Sequence, residues 1–91
     1  MELKDLRVQI DRIDEQLVKL FVQRMEVSAQ VAAYKKAHQL PIFVPAREQE
    51  KLEDVAQQAG PEMADYTTAL YAAIFELSRS YQRKLTQEDV R

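Results

Sequence analysis

Seven side chains in this sequence have types and spacings suited to gripping a small charged molecule: Arg7, Arg24, Lys35, Arg47, Glu48, Ser78 and Gln82. Arg24 falls where an apolar residue is expected, in the series Leu3, Leu6, Ile10, Ile13, Leu17, Leu20 that resumes at Val27, Val31 and Tyr34. Steps of three and four put that series along one face of a helix, so a guanidinium faces the packed side. Ser28 and Lys35 follow Arg24 by four and eleven residues on the same side, beside Val27 and Val31. Glu48 extends the row Leu52, Val55, Ala59 backwards by four, with Arg47 next to it. In Tyr71, Phe75, Ser78 and Gln82 a partly aromatic row turns into a hydroxyl and then an amide. Arg7 lies toward the far end of the helix that carries Arg24.

Cations dominate this set, and guanidinium forks match carboxylates in a bidentate way. The ligand so implied is a small organic anion with more than one carboxylate. Taken singly, the residues have plainer readings: Arg24 can snorkel past the stripe, and Glu48 can be a first-turn acid favouring the helix dipole. Their alignment argues against these. Nothing resembles a Ser, His and Asp nucleophile system or a Gly-rich phosphate loop. His38 has no second histidine and no cysteine near it, so it reads as a solvated loop residue and no metal site is expected.

Three helices must position these groups. The first spans Leu3 to Lys35 without Gly or Pro. The segment His38 to Pro45, with Pro41 and Pro45, reads as a loop. A second helix is expected from Pro45 to Ala59, with proline in its first turn, Val44 where a capping Asp or Ser would serve better, and a stop at Gly60 and Pro61. A third is expected from Ala64 to Leu85, with Tyr66, Leu70, Ala73, Ile74, Leu77, Tyr81 and Leu85 as its main apolar face. Thr86 to Arg91 reads as a frayed tail or the start of a linker. No period-two alternation suggests a strand, so the class is all-α, with residues 1–91 as one domain. The first helix rises roughly 50 Å, against a radius of gyration of about 12 Å for a compact domain of this length. A second copy of the chain is the simplest cover for its stripe, so an intertwined homodimer is expected.

The net charge of −2, with 13 basic residues interleaved among 15 acidic ones, argues against nucleic acid as a partner. No cysteine is present, which is compatible with a reducing cytoplasm. No run approaches the 18 or so apolar residues that span a bilayer, so a cytoplasmic protein with no membrane contact is expected.

The stretches LRVQIDRIDEQLVKLFVQRMEVSAQVAAYK, PIFVPAREQEKL and AAIFELSRSYQ, in this order and spacing, resemble the all-helical chorismate mutases. The resemblance covers nearly the whole chain, and all seven residues named above fall at family-motif positions. It implies an intertwined homodimer whose two sites each draw on both protomers. Arg7 of one chain and Arg24 of the other would pair with the two carboxylates of chorismate. Lys35 and Gln82 would address the ether oxygen, Glu48 would accept from the ring hydroxyl, and Ser78 and Arg47 would orient or support. Geometry agrees with sharing: Arg7 and Arg24 are 17 residues apart, about 25 Å along one helix.

The reaction implied is the cofactor-free Claisen rearrangement of chorismate to prephenate, in phenylalanine and tyrosine biosynthesis, with Lys35, Gln82 and Arg24 as catalytic groups. One departure from the pattern is Val44, where an Asp is frequent. Alternatives stay open: an isochorismate pyruvate lyase of the same fold, a non-catalytic helical dimerisation or regulatory module, or one domain of a larger aromatic-biosynthesis enzyme.

Overall fold

The computed structural model describes the backbone of residues 2–90 and the side chains of residues 2–87. Three helices form, α1 (Leu3–Ala37), α2 (Pro45–Ala59) and α3 (Ala64–Val90), and no strand occurs among the described residues. The class and the long first helix agree with the sequence. The last helix does not stop at Leu85: it continues to Val90, and the Thr86 hydroxyl donates to the carbonyls of Gln82 at 3.0 Å and Arg83 at 3.1 Å. With neither Gly nor Pro between Leu85 and Val90, nothing local breaks the ladder.

The end of α1 sets up the site. The amides of Gln39 and Leu40 donate back to the carbonyls of Lys36 (3.3 Å) and Lys35 (2.8 Å), and Gln39 takes φ 56°. This is the Schellman arrangement with glutamine in the left-handed position that glycine usually fills. It turns the chain so that the Ile42 carbonyl accepts from Lys35 Nζ at 2.9 Å. At the α2–α3 junction Gly60 has φ 85° and ψ 163°, a backbone region essentially confined to glycine. As expected for Val44, α2 has no side-chain cap, and the Val44 carbonyl accepts from the Arg47 and Glu48 amides.

α3 packs against both other helices. Arg24 lies by Tyr71 and Phe75, and Ser28 by Ser78, so α1 and α3 run parallel. Glu48 meets Arg79, and the short connection makes α2 antiparallel to α3. The molecule measures 55 × 27 × 14 Å, and a helix with side chains is about 10–12 Å across, so the helices form a single layer. Its radius of gyration of 16.4 Å exceeds the roughly 12 Å of a compact chain. Its accessible surface of 7488 Å² exceeds the roughly 5,500 Å² usual for this mass by about 2,000 Å².

The core within the chain is small and half polar: Ala32, Val55 and Phe75, with Ser28, Ser78 and Gln82. Every residue from Glu2 to Leu20 is exposed. The apolar stripe of α1 is uncovered along its whole length, from Leu3 at 61% to Val31 at 39% exposure. On α3 the more apolar row is the less covered of the two. Tyr66, Leu70 and Leu77 of the expected main face are exposed, whereas the row Tyr71, Phe75, Ser78, Gln82 packs against the other helices. The physical reason is that α1 and α2 approach α3 on the side of its second row, leaving the more apolar row facing outward.

Candidate active site

Six of the seven singled-out residues line one cleft of about 170 Å³: Arg24 and Lys35 from α1, Arg47 and Glu48 from α2, Ser78 and Gln82 from α3. Arg7 is not among them; it is exposed on the bare half of α1. Ser28, Val31, Ile42, Val44, Lys51, Phe75 and Arg79 complete the wall. The wall thus holds five cations, Arg24, Lys35, Arg47, Lys51 and Arg79, against the single carboxylate of Glu48, in a chain whose net charge is −2. Field lines converge on the cleft and favour an anion there.

The floor is ordered by packing. The Arg24 guanidinium lies over the rings of Tyr71 and Phe75, 5.8 and 5.6 Å from their centroids, and no carboxylate pairs with it among the described residues. The aromatic faces attract the cation by their quadrupoles while its N–H groups keep their capacity for a ligand carboxylate. Lys35 spends one of its three donors on the Ile42 carbonyl, which anchors the loop and holds the ammonium beside the cleft. Ser28 and Ser78 are joined through their hydroxyls at 2.9 Å, and Gln82 Nε2 donates to Ser78 Oγ at 3.1 Å.

One residue sits differently from the sequence expectation, and a second, Glu48, sits inward as expected with a partner the sequence did not name. Arg47 is not inward: its side chain is 62% exposed and pairs with Glu50 at 3.2 Å, at the mouth of the cleft. Glu48 is inward, at 23%, and both its oxygens accept from Nη1 of Arg79. Arg79 in turn packs over the Phe43 ring, 4.9 Å from its centroid. Arg79 and Lys51 escaped the sequence reading. Their signals were there: Arg79 is four residues from Phe75, and Lys51 three from Glu48, each on a flank of the rows already named. Ser28 was visible as a hydroxyl on the Arg24 face but carried no assigned role.

Among the described residues no group of three or more His, Cys, Asp or Glu could hold a metal ion, and no helix is long and apolar enough to cross a membrane. A cationic cleft with a hydroxyl and amide floor, carried on three helices, is suited by charge to small organic polyanions. The family model for chorismate mutase type II matches residues 6–83, and the chain belongs to that family. It is 50% identical to the T-protein of Haemophilus influenzae over 46 residues, covering 50% of this chain and 12% of that protein. It is 43% identical to the bifunctional chorismate mutase/prephenate dehydratase of Aquifex aeolicus over 54 residues, covering 59% of this chain and 15% of that protein. The T-protein of Enterobacter agglomerans is 41% identical over 58 residues, 64% of this chain and 16% of its own length. The chain thus spans a small fraction of the length of these relatives. No solved structure matches it significantly.

Proposed function

We propose that this chain catalyses the rearrangement of chorismate to prephenate, as a homodimer whose two clefts are each completed by Arg7 of the partner subunit. The observation that carries the reading is the cleft wall of five cations facing one paired carboxylate. Chorismate is a dianion, and Arg24 with a second guanidinium would take its two carboxylates. In the reaction the C–O bond to the enolpyruvyl arm breaks as a C–C bond forms, all within one molecule, and no proton leaves or enters. Catalysis then requires the arm to be held over the ring, a proximity effect. Negative charge gathers on the ether oxygen as the C–O bond lengthens, and Lys35 with the Gln82 amide would stabilise that state more than the ground state. Glu48 would accept from the ring hydroxyl with the lone pairs that Arg79 leaves available, and Ser78 and Arg47 would orient.

Two features support the dimer. The cleft, at about 170 Å³, is smaller than the roughly 300 Å³ at which small-molecule pockets usually begin, so a wall remains to be supplied. The bare half of α1 can supply it: bringing one chain's Arg7 beside the other's Arg24 in an antiparallel pair sets facing residue numbers to a sum of 31. The dyad then falls between Glu15 and Gln16, with Ile13 and Leu17, 61% and 53% exposed, flanking it. A cytoplasmic location fits a biosynthetic enzyme of this kind. A prephenate-consuming enzyme, joined or separate, is the natural companion.

The test is to incubate the purified chain with chorismate, without metal or cofactor, and to follow the loss of its ultraviolet absorbance and identify the product. Prephenate from the parent and none from Arg24→Ala supports the reading. Chorismate left unchanged by a folded dimer refutes it, and pyruvate released from isochorismate would assign the chain to the lyase instead.

A further inference from the structure

Three buried polar residues form a chain across the α1–α3 interface, and one of its ends is unfinished. Ser28, Ser78 and Gln82 are only 8%, 7% and 6% exposed. Gln82 Nε2 donates to Ser78 Oγ at 3.1 Å, Ser78 Oγ lies 2.9 Å from Ser28 Oγ, and Gln82 Oε1 is buried with no hydrogen-bond partner among the described residues. An orphaned buried carbonyl is unfavourable, and the amide has a second orientation of the same shape. Turned over, it offers Oε1 to the Ser78 hydroxyl and presents the two N–H groups where Oε1 had been.

We propose that Ser28 is a positioning residue that selects this second orientation. The inference rests on the chorismate reading of the cleft. An ether oxygen and carboxylates have lone pairs only, so a useful Gln82 must present N–H to them. Its Oε1 must then be satisfied by Ser78, which has a single hydrogen to give. That hydrogen can point to Ser28 or to Gln82. When the Ser28 hydroxyl donates to Ser78 Oγ, the first choice is closed and one of the two lone pairs that could accept from Nε2 is occupied, so the second choice is favoured over a turn back onto the helix and donation runs from Ser28 through Ser78 to Gln82 and on to the substrate. Without the Ser28 hydroxyl, Ser78 can turn its hydrogen back onto its own helix and accept from Nε2, which leaves the amide facing the wrong way.

Ser28→Ala removes one oxygen and tests this in a double-mutant cycle with Gln82→Ala, read as steady-state turnover of chorismate. The expected result is a fall in kcat of about fivefold to tenfold, the size of one neutral hydrogen bond, with KM changed less than twofold. In the Gln82→Ala background the same substitution is expected to change kcat less than twofold, because its effect passes through the amide. A fall of equal size in both backgrounds, or none in either, overturns the proposal. A parent chain that leaves chorismate untouched would sink the functional reading instead, and the Gln82 side-chain amide signals in 15N-labelled protein then decide the hydrogen-bond chain alone. Movement of those signals on Ser28→Ala upholds it, and coincident signals overturn it.

Discussion

Two inactive variants should restore each other when mixed. Arg7 and Arg24 lie 17 residues apart on one unbroken helix, about 25 Å, and only Arg24 lines the cleft of its own chain. If each site takes Arg24 from one protomer and Arg7 from the other, Arg7→Ala and Arg24→Ala each damage both sites of their homodimers. Losing one charge-assisted guanidinium–carboxylate pair removes about 3–4 kcal/mol, a drop of several hundredfold in kcat/KM. Unfolded together in equal amounts and refolded, the chains redistribute so that half the dimers are mixed. Each mixed dimer has one site with both guanidinia and one with neither, so about a quarter of the parent activity should return. The assay is the absorbance loss of chorismate, with each variant refolded alone as control. No recovery on mixing, with mixed dimers demonstrated by a mass tag, would refute the shared site. An Arg7→Ala chain as active as the parent would remove Arg7 from it altogether.

Lys35→Ala should lower kcat about a hundredfold with a smaller change in KM, since the cation acts where charge develops; steady-state kinetics with a raised KM and unaltered kcat would contradict its role. Leu17→Asp introduces a carboxylate three residues from Asp14, beside the proposed dyad, and does so twice per dimer. Sedimentation velocity should show dissociation to monomers at micromolar concentration, with activity lost in parallel. Arg79→Ala frees Glu48, a largely buried carboxylate, to repel a dianion; KM should rise about tenfold, reflecting the roughly 1–2 kcal/mol expected of an unpaired, partly screened charge.

The helix boundaries were legible where breakers fix them locally, and not at the end of α3, where none does. Pro45 opens α2, Gly60 closes it, and α1 has no interruption until Gln39. The inward polar residues were legible wherever they broke a row, as Arg24 breaks the α1 stripe and Ser78 and Gln82 break the α3 row. Arg47 was misread as inward because its only signal was being next to Glu48, and neighbours in a helix point about 100° apart. That the more apolar α3 row is left largely uncovered within the chain was not legible, for a related reason. Periodicity says that Tyr66, Leu70 and Leu77 seek cover, but not whether the cover comes from the same chain. The position of Arg79 on the flank of the Phe75 row could have been read, but its partners, Glu48 and Phe43, could not, because only the fold brings them to it.

The division of apolar surface carries the functional argument one step further. Among the described residues, half of the buried ones are the hydroxyl and amide groups of the cleft floor, and such groups add little net stability even when paired. The apolar residues that could hold the fold together lie instead on the uncovered faces, Leu3 to Tyr34 on α1 and Tyr66 to Leu77 on α3. At about half exposure each, burying the nine α1 residues would contribute roughly 1 kcal/mol apiece, comparable to the whole stability of a small domain. In the proposed dimer, the interior could be given over to ligand chemistry because stability would be drawn from the interface. In the proposed dimer that same interface delivers Arg7, so a chain that fails to associate should lose its fold, its second guanidinium and its activity together.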